Sequence, residues 1–278
     1  MDGLDFPYTT FRLADRLFGL ESSYVHEMLV LPELAHVPTA KEHIRGVINI
    51  RGKVILVVDL RKMMRMATVT EDTENLIELL GKREQDHLNW IAELENSIKE
   101  RREFKLTTDP HKCAFGKWYD AYKAKNVMME NHLKKFDAPH KRIHALGTEA
   151  VALAKDQKYD DALALVARER MGTLSLLVNL FAEAKTLLRE TMREIVIVLG
   201  NGENSIGVSV DNIESVEHLK EGSIEDIRGI STEFKHALVT KIGKTLRGEK
   251  IVMLINTSEI FQDSNPVART VVAEATGA

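Results

Sequence analysis

At 278 residues the chain has room for one or two domains that each bury a core, and 44% hydrophobic against 29% charged residues is the balance of an ordinary globular protein. The net charge of −4, with no Lys/Arg stripe interleaved with aromatics, gives no electrostatic case for nucleic acid. One cysteine rules out an intrachain disulfide framework, the acidic start at Met1-Asp2 lacks the form of a signal peptide, and no apolar run is read as long enough to span a bilayer, so a cytoplasmic protein in a reducing compartment is expected.

Tyr8 to Leu13 and Leu17 to Leu20 flank a turn at Asp15-Arg16 and predict an antiparallel hairpin. Pro32 and Pro38 bracket a loop or edge segment. Val47–Ile50 and Val54–Val58 are β-branched runs split by Arg51-Gly52-Lys53, a second hairpin with glycine where positive φ is easiest. From about Glu74 the pattern becomes helical: Leu76, Ile77, Leu80, Leu88, Ile91, Leu94 and Ile98 recur at spacings of three and four to about Arg102, with Gly81 marking a bend or a start. Thr107 to Pro110 breaks this helix, and a second is expected from Phe115 past Tyr122. The third runs from Asp137 to Lys155, with Asp137 as its cap and Pro139 in its first turn, and the fourth from Asp160 to about Arg189. Strands resume at Ile195–Leu199 and Ser205–Val210 around Gly200-Asn201-Gly202, then at residues 236–242 and 250–255 with a turn at 246–249; a short helix at Ser258–Phe261 follows.

Each β segment alone would leave sheet edges open. The expected class is therefore α+β: one discontinuous β domain, residues 1–70 and 191–263, with a four-helix bundle at 71–190 inserted in a surface loop and a flexible tail at 264–278.

The helical region also carries the chemistry. It contains the sole thiol, Cys113, with His87 upstream and His140 and His144 downstream. One thiolate and three imidazoles make a full tetrahedral set for zinc, and two histidines four apart share a helix face. His111 and His132 are the nearest rivals as ligands, and Asp86, Glu93 and Asp137 are candidates to orient a ligand ring. Four protein ligands leave no coordination position for a water, which argues against a zinc hydrolase and for a structural or sensing site. Phe115, Trp118 and Tyr119 are read as bundle core, Trp90 as a shield beside the site, and Asp59 and Asp211 as anchors of local backbone. Gly200 to Gly202 is a hairpin turn, since no Lys-Ser/Thr pair or helix start follows as a phosphate loop would need.

Two resemblances follow from these motifs. His43-Ile44-Arg45-Gly46-Val47-Ile48-Asn49-Ile50-Arg51-Gly52, a strand, then Asp59-Leu60-Arg61 resembles the core of the CheW coupling-protein family of bacterial chemotaxis, with Ile50 for the usual leucine. Val25-His26-Glu27-Met28, the runs 195–216 and Ile251–Ile255 follow the same family in order and spacing. The resemblance implies a double β-barrel of SH3-like type and an adaptor that docks on chemoreceptors and the regulatory domain of a CheA-like histidine kinase, with Val25, Glu27, Arg45 and Arg51 as partner-binding residues. Cys113-Ala114-Phe115-Gly116-Lys117-Trp118-Tyr119, preceded by a helical histidine and followed by His140-x-x-x-His144, resembles the CZB family, the chemoreceptor zinc-binding domain. That resemblance implies a zinc cofactor on His87, Cys113, His140 and His144 and a homodimer through the bundle. It further implies sensing of zinc or hypochlorous acid through Cys113, so the chain is expected to be a signalling adaptor and no enzyme.

Overall fold

A computed structural model describes residues 5–38, 40–124, 126–227, 238–246 and 250–264. They form two compact units, one built from both ends of the chain (1–69 and 193–278) and one from its middle (70–192).

The first unit is a pair of β-sheets. Its opening segment gives β1 (Asp5–Leu13), β2 (Arg16–Glu21), β3 (Val25–Val30), β4 (Ile44–Ile50), β5 (Lys53–Asp59) and the short helix α1 (Leu60–Met63). Its closing segment gives β6 (Ile195–Gly200), β7 (Ser205–Val210), β8 (Asn212–Lys220), β9 (Glu225–Asp226), β10 (Val239–Lys244) and β11 (Ile251–Ile255). The sheets run β8-β1-β2-β11-β10-β9 and β3-β6-β7-β5-β4, so each takes strands from both segments. The segments meet twice in each sheet: antiparallel where β8 flanks β1 and where β6 flanks β3, and parallel where β5 lies beside β7 with Leu56 opposite Ile206 and where β11 lies beside β2 with Met253 opposite Phe18. Neither segment could complete a sheet alone, which is the physical reason the chain must return after the helices.

The β5 and β6 sequences are near-continuous apolar runs, and β7 is buried from Ile206 to Val210, because both faces are covered. Phe11, Phe18, Leu20, Leu56, Val58, Ile197, Leu199 and Val208 join one core shared by the two sheets. A separate cluster lies on each sheet, around Tyr8, Leu17, Leu219 and Val252 on one and around Ile48, Ile55, Val57 and Val196 on the other.

The β1–β2 hairpin turns at Ala14-Asp15, one residue earlier than expected, with Ala14 at φ 52° and its N–H donating to Asp211 Oδ2 at 2.8 Å. The β4–β5 hairpin is a two-residue turn, Arg51 (φ 51°) and Gly52 (φ 84°), between Ile50 and its partner Lys53. Positive φ at both positions is the type I′ geometry that matches strand twist. Asp59 caps α1 by accepting from Lys62 N at 3.0 Å. Arg61 is buried and grips Asp211 through Nε (2.6 Å to Oδ1) and a second, very short contact, while another of its nitrogens donates to the Ala67 carbonyl at 2.7 Å.

The second unit is helical: α2 (Val69–Lys99), α3 (Ala114–Ala121), α4 (Val127–Lys134), α5 (Asp137–Lys155), α6 (Tyr159–Glu169) and α7 (Ser175–Thr191). α2 begins earlier than its apolar pattern indicates and passes through Gly81 without a break. The expected second helix divides. α3 stops at Tyr122, and α4 is a separate helix started by Asn126, whose side chain accepts from Met129 N at 2.8 Å. Asp137 is not a cap; α5 follows α4 so closely that Phe136 occupies that position, and Asp137 instead pairs with Lys141 at 2.8 Å inside the first turn. α6 and α7 are joined by a π-helical turn at Arg170–Leu174. Leu80, Ile91, Leu94, Phe115, Phe136, Ile143, Leu146, Leu177 and Phe181 meet in one core.

Tyr159–Thr191 is long and apolar enough by composition to cross a membrane (mean hydropathy 1.2 in its most apolar window), which corrects the expectation that no run reaches that length. In this structure Leu174, Leu177, Leu180, Phe181 and Ala184 of that helix are buried in the core of the helical unit.

A helix covers 257–264, in line with the short helix expected at Ser258–Phe261. The start of the strand expected at 236–242, most of the turn at 246–249 and the tail from 265 onward fall outside the described residues.

Candidate metal centre

Three helices bring four side chains together. His87 projects from α2; His140 and His144 project one turn apart from α5; Cys113 sits immediately before α3. Their donor atoms all lie within 4.8 Å of one another, and Cys113 Sγ is 3.2 Å from His140 Nε2. Ligands of a tetrahedral zinc, at about 2.0–2.3 Å from the ion, lie roughly 3.4–3.8 Å apart. The observed spread is close to that set.

The polar bookkeeping of the cluster points the same way. His87 hydrogen-bonds the Arg83 carbonyl through Nδ1 at 2.7 Å, which leaves Nε2 buried with no hydrogen-bond partner. Neither nitrogen of His144 has a partner, although the ring is fully enclosed. Buried polar atoms without partners are costly, and an ion that accepts their lone pairs removes the penalty. The donor set and the orphaned nitrogens fit zinc. Bound there, zinc would be held by His87, Cys113, His140 and His144, and it would supply a closed four-ligand staple across α2, α3 and α5.

Electrostatics prepare the ligands unevenly. Burial, with the neighbouring rings His87 and His144, pulls His140 down to about 3. Burial and His87 bring His144 to about 4, opposed by the carbonyl of Thr107. His87 is lowered too, again chiefly by burial. All three are neutral at pH 7, the form that ligates. Burial pushes the Cys113 thiol up, opposed by the backbone N–H groups of Gly116 and Phe115. Without metal the thiol keeps its proton and faces the Pro110 carbonyl at 3.3 Å, while Sγ accepts from Gly116 N at 3.1 Å as the cap of α3. A cation close to Sγ favours the thiolate, and the helix N-terminus adds to that preference.

The walls are aromatic. Phe115 meets His140 edge-on at 4.9 Å and His87 at 5.7 Å, Phe181 lies 6.0 Å from His87, and Trp90 lies 5.2 Å from His144. Phe115 is thus core, as expected, and Trp118 and Tyr119 pack partly buried against the same cluster.

The rival histidines have other partners. His111 pairs with Asp120 at 2.8 Å on the surface, and buried His132 meets the Leu180 carbonyl through Nε2 at 2.9 Å. Asp86, Glu93 and Asp137 pair with Arg83, Arg102 and Lys141, and the ring of His87 is oriented by a main-chain carbonyl instead. Two glycines escaped the residue-by-residue reading. A Cβ at Gly116 would stand 1.8 Å from the Pro110 carbonyl oxygen, and one at Gly147 would stand 2.7 Å from the Trp90 ring. Gly116 lies inside the quoted heptapeptide; nothing local marks Gly147.

The four residues expected to bind partners are divided. Glu27 on β3 and Arg51 in the β4–β5 turn are joined at 2.9 Å, with the Arg51 side chain 83% exposed. Val25 is half-buried against the shared core of the sheets. Arg45 is drawn inward to Glu194 at 2.5 Å, with Ser209 Oγ at 3.4 Å, so its charge is met within the same unit.

Comparison with known proteins gives two consecutive family matches: a CheW-like domain over residues 7–86 and a chemoreceptor zinc-binding domain, CZB, over residues 87–151. The second match begins on His87 and contains Cys113, His140 and His144. The chain carries a CheW-like domain and a CZB domain.

A chemotaxis protein CheW from Treponema pallidum (strain Nichols) is 29% identical over 73 residues, 26% of this chain and 43% of that protein. The chain thus spans less than half the length of that curated relative. The crystal structure of scaffolding protein TtCheW from Thermoanaerobacter tengcongensis aligns over 91% of this chain and 90% of its own, at 16% identity and a TM-score of 0.42. The CheW-like match runs past the middle of α2, and the CZB match ends within α5. The strands β6–β11 lie outside both matches, yet β6, β7, β8 and β11 pair directly with matched strands.

Proposed function

We propose that this chain is a cytoplasmic, non-enzymatic scaffold of chemotaxis signalling whose CZB part controls its output through a zinc ion. In this reading the two sheets are a discontinuous pair of small SH3-like barrels, each closing over its own apolar cluster, and they couple chemoreceptors to a CheA-like histidine kinase. The exposed Arg51 and its partner Glu27 are the residues best presented for that contact, while Arg45 and Val25 support the strands that carry them. The inserted helices form a zinc-binding bundle.

The convergence of three buried imidazoles and one thiol, with orphaned ring nitrogens, is the observation that carries the metal reading. Sensing follows from the chemistry of sulfur. Hypochlorous acid would oxidise Cys113 to the sulfenic acid while being reduced to chloride, and Sγ would then be a poorer ligand. A change in zinc availability would act on the same four residues.

A second reading keeps the scaffold and makes the zinc only a structural or dimerisation staple. Its support is the closed shell: four protein ligands are the signature of structural zinc, and the same closure disfavours a hydrolase. Binding to a chemotaxis kinase and kinase output, measured with and without chelator and with Cys113→Ser, separate the two. Sensing requires that kinase output change with metal. If output is constant and only sedimentation changes, the staple stands. A chain purified without added metal that carries no zinc and takes none up would defeat both.

A further inference from the structure

His144 is aimed by no hydrogen bond of good geometry; the Thr107 carbonyl is its polar neighbour, and that carbonyl is already taken by Trp90. The ring of His87 is fixed by the Arg83 carbonyl, and Cys113 is fixed as the cap of α3 between Pro110 and Gly116. His144 has neither nitrogen hydrogen-bonded and is nonetheless completely enclosed. A ring on a single side-chain stem needs some other constraint to hold one rotamer.

That constraint is visible on its free side. The indole of Trp90 lies 5.2 Å from the His144 ring, tilted by 57°. Trp90 is itself held from three directions. Its Nε1–H donates to the Thr107 carbonyl at 2.9 Å, Phe104 meets it edge-on at 5.1 Å, and its outer ring edge enters a notch on α5 that exists because residue 147 has no side chain. A Cβ at Gly147 would lie 2.7 Å and 2.9 Å from two atoms of the indole and 2.9 Å from Thr108 Cγ2. Trp90 therefore joins α2, the 104–108 segment and α5 beside one ligand.

We propose that Trp90 is the positioning residue for His144: seated in the Gly147 notch and tied to Thr107, it holds that imidazole in the orientation in which it can ligate the zinc. This deepens the metal reading and rests on it. Trp90 touches no ion; it acts through the ligand, as the residues around metal sites commonly do.

The test uses the full chain, stripped by chelator and titrated with zinc against a chromophoric competitor, and separately loaded with cobalt. Trp90→Phe keeps a flat apolar ring but loses the N–H; Gly147→Ala fills the notch. Each is expected to weaken zinc binding about 10- to 100-fold, the range for residues that orient a ligand. The metal-free melting temperature of Trp90→Phe should stay within a few degrees of wild type. Cobalt-loaded Trp90→Phe should retain the sulfur-to-metal charge-transfer band, because Cys113 still binds, while its ligand-field bands weaken towards those of His144→Ala. Wild-type affinity in both variants would overturn the assignment. So would an affinity loss that simply tracks a fall in metal-free stability, with the sulfur band lost in parallel, since that is the mark of a structural tryptophan. A wild-type chain that binds no zinc sinks the metal centre itself; a zinc-binding wild type with unaffected variants sinks only the role of Trp90.

Discussion

Cys113 does two jobs with one atom: Sγ caps α3 through Gly116 N and stands 3.2 Å from His140 Nε2. The turn that allows this has no room to spare. Gly116→Ala would drive a methyl to 1.8 Å from the Pro110 carbonyl oxygen, so the 110–116 segment must shift and carry the sulfur with it. We expect a destabilisation of about 1–3 kcal/mol in chemical denaturation, together with loss of zinc uptake by metal analysis. Protonation gives a second prediction. Unfolded histidines titrate near 6.5, whereas folded His140 and His144 sit at about 3 and about 4 and His87 is also lowered. Between those limits the unfolded metal-free chain binds more protons than the folded one, so stability is fully present above about 6.5 and declines as pH falls towards 4. Melting of the stripped protein at pH 7.5 and pH 5 should show the lower midpoint at pH 5; an unchanged midpoint would mean the rings are not buried together. That these four side chains would meet was legible from a lone thiol, two histidines at helical spacing and the CZB-like heptapeptide around Cys113. The carbonyl that orients His87 was not, since a main-chain group has no letter of its own in a sequence.

The two-residue turn of the β4–β5 hairpin places Arg51, a residue with a Cβ, at φ 51°. A left-handed conformation costs an L-residue about 1–2 kcal/mol, and asparagine tolerates it better. The exposed bond to Glu27 offsets little of that, since surface ion pairs contribute about 0–1 kcal/mol. Arg51→Asn is therefore expected to leave the denaturation midpoint unchanged or higher while weakening binding to the kinase or receptor. Parallel loss of stability and binding would instead mark Arg51 as structural. Two β-branched runs split by Arg51-Gly52-Lys53 announced this hairpin, the period of three and four announced α2, and Pro139 in a first turn announced α5. Helix α4 was missed for a physical reason: it is two turns long, opens on exposed Val127 and Met128, and rests on Asn126 as its start signal. The π turn at Arg170–Leu174 was equally silent, because one widened turn barely disturbs the apolar spacing around it.

The two-sheet unit depends on contacts that join its two chain segments. Arg61–Asp211 is the clearest, with a buried guanidinium held by both carboxylate oxygens and by the Ala67 carbonyl. Arg61→Ala strands the Asp211 carboxylate in a largely buried place, and removal of one partner of such a pair costs about 3–5 kcal/mol. The measured loss should fall in that range and be smaller for the double variant Arg61→Leu with Asp211→Leu; equal losses would mean that the stranded carboxylate is not the source of the cost. The need to close open sheet edges revealed that the β segments belong together, but not that strands β5 and β7, and β2 and β11, would lie parallel. The helical unit has its own signature at its ends. The Thr73 hydroxyl abuts the Met192 sulfur, and Glu74 faces Arg189 at 3.4 Å, so this long excursion departs and returns at neighbouring points. To the chain that hosts it, such a cassette is topologically no more than a tight loop, and closing a loop of that kind adds little entropy. Trading residues 70–192 for a brief Gly/Ser bridge should then leave a sheet protein that still melts cooperatively, now deaf to metal.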